Sequence, residues 1–150
     1  ISNNPNAPGV IFSKNKKIIT KIVNYKNNKN AEKQIINHLN IKKIKLICLA
    51  GFMKILSEKF IQKFKHKIIN IHPSLLPKYK GLNTHKRVLK NKEKFSGCTV
   101  HYVTSKLDSG KIILQKKVLI DKNETPSSLK LKILKQEHSL YPKSIISIFK

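Results

Sequence analysis

Two short apolar runs, "IKLICLA" (44–50) and "KIINI" (67–71), bracket a helical pattern, and this arrangement narrows the fold further than any other part of the chain. Both runs are too short for typical helices and rich in branched residues, which suits strands buried on both faces. Between them, "SEKFIQKF" (57–64) opens on a serine cap and sets Phe60, Ile61 and Phe64 on one face, as an amphipathic helix does. Strand, helix, strand is a βαβ unit, which calls for a parallel pair and a right-handed crossover. The 150 residues suffice for one domain with its own core and are cramped for two.

The rest of the chain extends this pattern. "NAEKQIINHLN" (30–40) places Ala31, Ile35, Ile36 and Leu39 at helical spacing behind Asn30 as cap. Pro73 and Pro77 forbid regular pairing and predict an extended loop. "THKRVLKNKEK" (84–94) reads as a short helix, "CTVHYV" (98–103) as a strand with one wetter face, and "KIILQKKVLI" (111–120) as one or two strands. Thr125 followed by Pro126 starts another helix, and Pro142 interrupts it or begins a last one. No repeat or low-complexity linker breaks the chain. The pattern predicts an α/β fold with an open, mostly parallel sheet and helices on both faces, a class that binds ligands at the carboxyl ends of its strands.

Composition excludes several functions. The net charge of +25 invites a nucleic-acid reading, yet of 32 Lys and Arg residues only Arg87 is arginine, and the lysines are scattered among Ile and Asn. Base readers and phosphate clamps favour the planar fork of Arg. Lys, Ile and Asn share A/T-rich codons, so genome base composition accounts for the excess more economically than a nucleic-acid partner. No apolar run approaches the roughly 18–20 residues needed to cross a bilayer, and "ISNNPNAPGV" lacks a signal-peptide pattern, so a cytoplasmic protein without a membrane partner is expected. Cys48 and Cys98 each sit in an apolar run, which predicts buried free thiols rather than a disulfide or a metal site.

The second apolar run ends in chemistry. In an extended segment residues i and i+2 project from one side, so Asn70 and His72 point together beyond the strand end. Asn offers a neutral amide donor for a developing oxyanion, and His ionises near neutrality. On spacing alone the pair fits better a core-edge histidine tied to backbone beside a turn-forming Asn. Asp108, in "VTSKLDSGKII", is a scarce acidic residue where a strand ends, able to orient a histidine or to hold a proton-carrying water. Asp before Ser-Gly is also ordinary turn chemistry. His66, His85, His101 and His138 are assigned no catalysis, and His101 is the one of these expected to shape the pocket.

Four motifs in register, "LAGFMKIL" (49–56), "NIHPSLLPKYKGLNTH" (70–85), "GCTVHYVTSKLDSG" (97–110) and "QEHSLYP" (136–142), resemble the phosphoribosylglycinamide formyltransferases, folate-dependent enzymes of purine synthesis. The resemblance runs over nearly the whole chain and implies a Rossmann-like formyltransferase fold. It also implies transfer of a formyl group from 10-formyltetrahydrofolate, as co-substrate and without a metal, to the amine of glycinamide ribonucleotide. The family's catalytic Asn, His and Asp fall on Asn70, His72 and Asp108. Its folate wall falls on Met53, Lys54, Ile55, Leu56, Thr104 and Asp108, with Lys54 standing where many relatives carry Arg. Its ribonucleotide side falls on Gly51, Pro73 and Glu137. Residues 1–150 are thus expected to be a single catalytic domain, monomeric or homodimeric, missing the family's first βα unit and its C-terminal end. The family's Gly-rich phosphate turn has no counterpart here, so weak ribonucleotide binding by this chain alone is expected. Methionyl-tRNA formyltransferases and formyltetrahydrofolate deformylases share the catalytic set, but Pro73 and "GLNTH" match the ribonucleotide enzymes better. A Lys-rich nucleic-acid module is the reading outside enzymes.

Overall fold

A computed structural model describes residues 1–150. Helices α1 (Pro8–Asn15) and α2 (Asn28–Ile41) precede strand β1 (Leu46–Leu49), helix α3 (Glu58–Lys63) and strand β2 (Lys67–His72). Helix α4 (Thr84–Lys90), strands β3 (Phe95–Tyr102) and β4 (Ile112–Leu119) and helix α5 (Pro126–Ile148) follow. The strands form one sheet in the order β1-β2-β3-β4.

The βαβ unit is present, with β1 parallel to β2 in a register that sets Leu49 beside Asn70. The β2–β3 and β3–β4 pairs are antiparallel, so these strands carry a smaller parallel share than the sequence suggested, although an isolated Ser2–Ile22 bridge is parallel. For the β3–β4 pair the cause is connection length. The segment between β3 and β4 is too short for a crossover helix, and such a link returns the chain antiparallel.

Alternation along β2 divides the core between the two sheet faces. Ile68 joins Ala31, Ile35, Ile36 and Leu39 of α2 and Phe60 of α3 on one face. Ile69 and Ile71 pack with Val100 of β3, Val88 of α4, and Leu129, Ile133 and Leu140 of α5 on the other. Helices therefore cover both faces, and Asn70 and His72 share the face of Ile68. The two anchoring helices of that face are tied by Glu32 of α2, whose carboxylate accepts from Ser57 N–H (2.7 Å) and from the Ser57 hydroxyl. Ser57 in turn caps α3 by accepting from Phe60 N–H at 3.1 Å.

Several local expectations are corrected. The cap of α2 is Asn27, whose side chain accepts from Asn30 N–H, so Asn30 lies inside the helix. Segment 111–120 supplies one strand, within the one or two expected, whereas α4 stops at Lys90. Pro142 lies inside a continuous α5. The carbonyl it leaves without a donor belongs to His138, an exposed residue that water can reach. Strand β3 begins at Phe95 and is buried from Ser96 to His101, so it has no wet face; Thr99 and His101 take internal partners instead. Cys98 is buried as expected, and burial pushes its thiol up to about 12, whereas Cys48 is exposed. Cys48 sits on β1, an edge strand paired only with β2.

Candidate active site

Antiparallel register builds the centre of the site. Asn70 of β2 lies directly across from His101 of β3, and His72 across from Thr99, so the four side chains share one sheet face. Just there β3 slips by one residue against β4, between Val100 and His101, an irregularity of the kind that re-aims a strand beside a functional site.

His101 is 2% exposed and its tautomer follows from its partners. Nδ1 lies 2.8 Å from the Tyr102 carbonyl, which can only accept, so Nδ1 carries the proton and Nε2 of the neutral ring accepts. Asn70 Nδ2 stands 3.4 Å from that Nε2. Burial lowers the basicity of His101, outweighing the opposing pull of Tyr102 and Asp108, which keeps the ring in this accepting form. One amide hydrogen of Asn70 is thus held by His101, and the other is left for a ligand oxygen.

His72 is fixed at both nitrogens. Nε2 donates to the Tyr79 carbonyl at 2.9 Å, and Nδ1 lies 3.4 Å from Asp108 Oδ2. The side chains of His72 and Asp108 are 7% and 9% exposed, so water screens this pair poorly. The imidazolium form satisfies both partners at once. Asp108 Oδ2 also accepts from Gly81 N–H at 2.8 Å, and Oδ1 lies 3.7 Å from His101 Nε2. Asp108 has φ 45°, a left-handed conformation that costs a non-glycine residue roughly 1–2 kcal/mol and places it just before the return into β4.

The loop after His72 is pinned to the sheet below. Thr99 Oγ1 donates to the Ser74 carbonyl (2.6 Å) and accepts from Leu76 N–H (3.1 Å), and Gln115 Nε2 donates to the Leu76 carbonyl (2.8 Å). Glycine is required at position 97, because a Cβ there would collide with the Lys116 carbonyl and the Leu75 side chain.

A cleft of about 490 Å³, its open mouth included, opens on this centre. Asn70, His101 and Asp108 line it together with Lys54, Ile55, Leu56 and Thr104, while Phe52, Val103 and Leu107 add apolar wall. Of the residues expected from sequence, Met53 and His72 stand outside the lining: Met53 is 69% exposed, whereas His72 is buried beside Asp108. Gly51 is exposed with φ 63°, and Pro73 is half-buried next to His72. Glu137 is half-buried on α5 without a hydrogen-bonding side-chain partner, and burial holds its carboxyl above the usual carboxylate range. Two participants were missed by sequence reasoning: the Tyr79 carbonyl that accepts from His72, and the bond from Asn70 to His101. A backbone acceptor leaves no trace in residue identity. The Asn70–His101 pair could have been found by setting the two predicted strands antiparallel.

No group of three His, Cys, Asp or Glu side chains is placed to hold a metal ion. No helix is long and apolar enough to cross a membrane. What the arrangement offers is an amide donor, an imidazole and a carboxylate around one point, a set suited to steadying a developing oxyanion and moving a proton.

Comparison with known proteins bears on this set. A phosphoribosylglycinamide formyltransferase of Haemophilus influenzae is 41% identical over 145 residues, covering 95% of this chain and 68% of that protein. The human trifunctional purine biosynthetic protein adenosine-3 is 38% identical over 148 residues, covering 97% of this chain and 15% of that protein. The crystal structure of phosphoribosylglycinamide formyltransferase from Anaplasma phagocytophilum superposes with a TM-score of 0.91 at 43% identity, over 99% of this chain and 72% of that one. A family model described as formyl transferase matches residues 1–145, and on these grounds the chain belongs to the formyl transferase family.

Proposed function

We propose that this chain transfers a formyl group from 10-formyltetrahydrofolate to the primary amine of glycinamide ribonucleotide, a step of purine synthesis. The observation that carries the reading is that Asn70 and Asp108 line one apolar-walled cleft and His72 lies 3.4 Å from Asp108, in a chain similar to phosphoribosylglycinamide formyltransferases. We read residues 1–150 as one catalytic domain, and its two free thiols suit the reducing cytoplasm.

The cleft suits a flat heterocycle by its walls: Ile55 and Leu56 offer apolar contact, with Lys54 and Thr104 beside them. The folate supplies the formyl carbon. The free hydrogen of Asn70 Nδ2 donates to the formyl oxygen as negative charge gathers there, and His101 keeps the amide turned so that its donor, not its carbonyl, faces that oxygen. In its imidazolium form His72 would add positive potential alongside, its ring held by Asp108 at Nδ1 and by the Tyr79 carbonyl at Nε2. The attacking amine must lose a proton and the departing folate nitrogen must gain one. Asp108, directly or through a water, carries that proton across, so no electrons, metal or covalent enzyme intermediate enter the balance. Glu137, whose carboxyl has no hydrogen-bond partner within the chain, would take hydrogen bonds from the ribose hydroxyls, with Gly51 and Pro73 as further contacts for the ribonucleotide. Met53, exposed at the cleft's edge, would be covered by the folate itself.

Acceptor choice tests the proposal. Formyl release from the folate would be followed with glycinamide ribonucleotide, with charged initiator tRNA and with water alone. Turnover is expected with the first only. Turnover with tRNA or water in its place would contradict the reading.

A further inference from the structure

Resting on the formyl-transfer reading, we propose that Tyr79 and Glu93 are positioning residues that aim His72 through the Tyr79 backbone carbonyl. That carbonyl accepts from His72 Nε2 at 2.9 Å, so wherever it points, the ring follows. Tyr79 has φ 58°, a left-handed conformation that a bulky aromatic residue does not hold unaided. Left to itself the residue would relax toward negative φ and turn its carbonyl away from His72.

The side chain supplies the restraint. The Tyr79 hydroxyl donates to Glu93 Oε1 at 2.9 Å and accepts from Asn91 Nδ2 at 2.9 Å. Lys78 Nζ donates to the same Glu93 oxygen at 2.9 Å, so two consecutive loop residues are gathered on one carboxylate at the start of β3. Arg87 of α4 stands 5.4 Å from the Tyr79 ring centroid and donates to the Lys80 carbonyl at 2.6 Å, closing the far side.

A surface role explains less. The Lys78 side chain is 66% exposed, and an ion pair of that kind contributes little stability. Glu93 is better enclosed, at 28%, and its carboxyl is held below the usual range by Lys78 and the Tyr79 hydroxyl, so it stays an acceptor. The effect of the clamp is therefore on geometry: it fixes which way one carbonyl faces, and hence where the His72 imidazole lies relative to Asp108.

The test uses Tyr79→Phe, Glu93→Ala and Glu93→Gln, with two readouts. Tyr79→Phe and Glu93→Ala are expected to lower kcat about tenfold, leaving KM for both substrates within about twofold. In substrate-free protein, the His72 Nε2–H proton resonance should exchange with water at least about tenfold faster in both variants. Glu93→Gln keeps an oxygen for the Tyr79 hydroxyl and should recover most of kcat. An unchanged Nε2–H signal and kcat in folded Tyr79→Phe would overturn the proposal, as would Glu93→Gln no better than Glu93→Ala. Because the resonance is read without substrate, its loss alongside absent transfer by the unsubstituted protein would sink the activity reading and leave the clamp standing.

Discussion

At the ends of β2 and β3 each polar side chain of the cleft is tied to another part of the chain, whereas across the cleft the segment 50–56 makes no hydrogen bond outside the regular elements. Asn70 has His101, His72 has Tyr79 and Asp108, and Asp108 has Gly81. Ile55, by contrast, is 66% exposed although it lines the cleft. The polar side is thus set before any ligand arrives, because buried donors and acceptors without partners would be heavily penalised. The apolar side gains its cover from the ligand. One side should therefore govern rate and the other affinity.

The largest expected effect tests the polar side. Asp108→Asn keeps an oxygen for Gly81 N–H but removes the charge, and kcat should fall by about 10²-fold or more with the fold intact by circular dichroism. Loss of folding instead would make Asp108 a structural residue and erase the contrast. A smaller effect tests the apolar side. Ile55→Ser should raise KM for the folate by about ten- to hundredfold, the equivalent of exposing one aliphatic side chain, and leave kcat nearly unchanged. A fall in kcat at constant KM would show that the wall also takes part in the chemistry.

The smallest effect concerns acid stability. Burial lowers the basicity of His101 and, with help from Lys130 and His72, of His85, below the ordinary value of 6.5. As pH falls below 6.5 the unfolded chain therefore takes up protons first. The stability these residues contribute is complete above that value and is lost as pH drops through their folded values. Urea midpoints between pH 7 and 5 should decline with a slope of at most about 1.4 kcal/mol per pH unit for each group. His101→Gln should flatten the decline, and an unaltered slope would remove His101 from the account.

Much of this contrast was legible in the residues, and the exceptions have physical causes. The serine and threonine caps, the branched runs and the i, i+2 spacing of Asn70 and His72 are local signals, and each is found where the chemistry of the side chain puts it. What stayed hidden depends on neighbours distant in sequence. Cys48 reads as buried because its own run is apolar, yet it lies on an edge strand. Ser96 and Gly97 do not look like strand residues, but pairing with Val118 and Lys117 makes them so. Helix α1 was missed because "PGVIFSKN" holds a glycine and few strong helix formers. Pro142 reads as a break, although a lone proline on an exposed helix face costs only one internal hydrogen bond and some crowding.

The central claim is that Asn70 and His72 act on one developing charge, and a double-mutant cycle tests it most directly. Single-turnover formyl transfer would be timed for Asn70→Ala, His72→Ala and the pair combined. The double variant is expected to lose no more than about tenfold beyond the worse single one, because either substitution alone already dismantles the shared site. Losses that multiply in full would mean two independent contributions, and would contradict the convergence from which the function is argued.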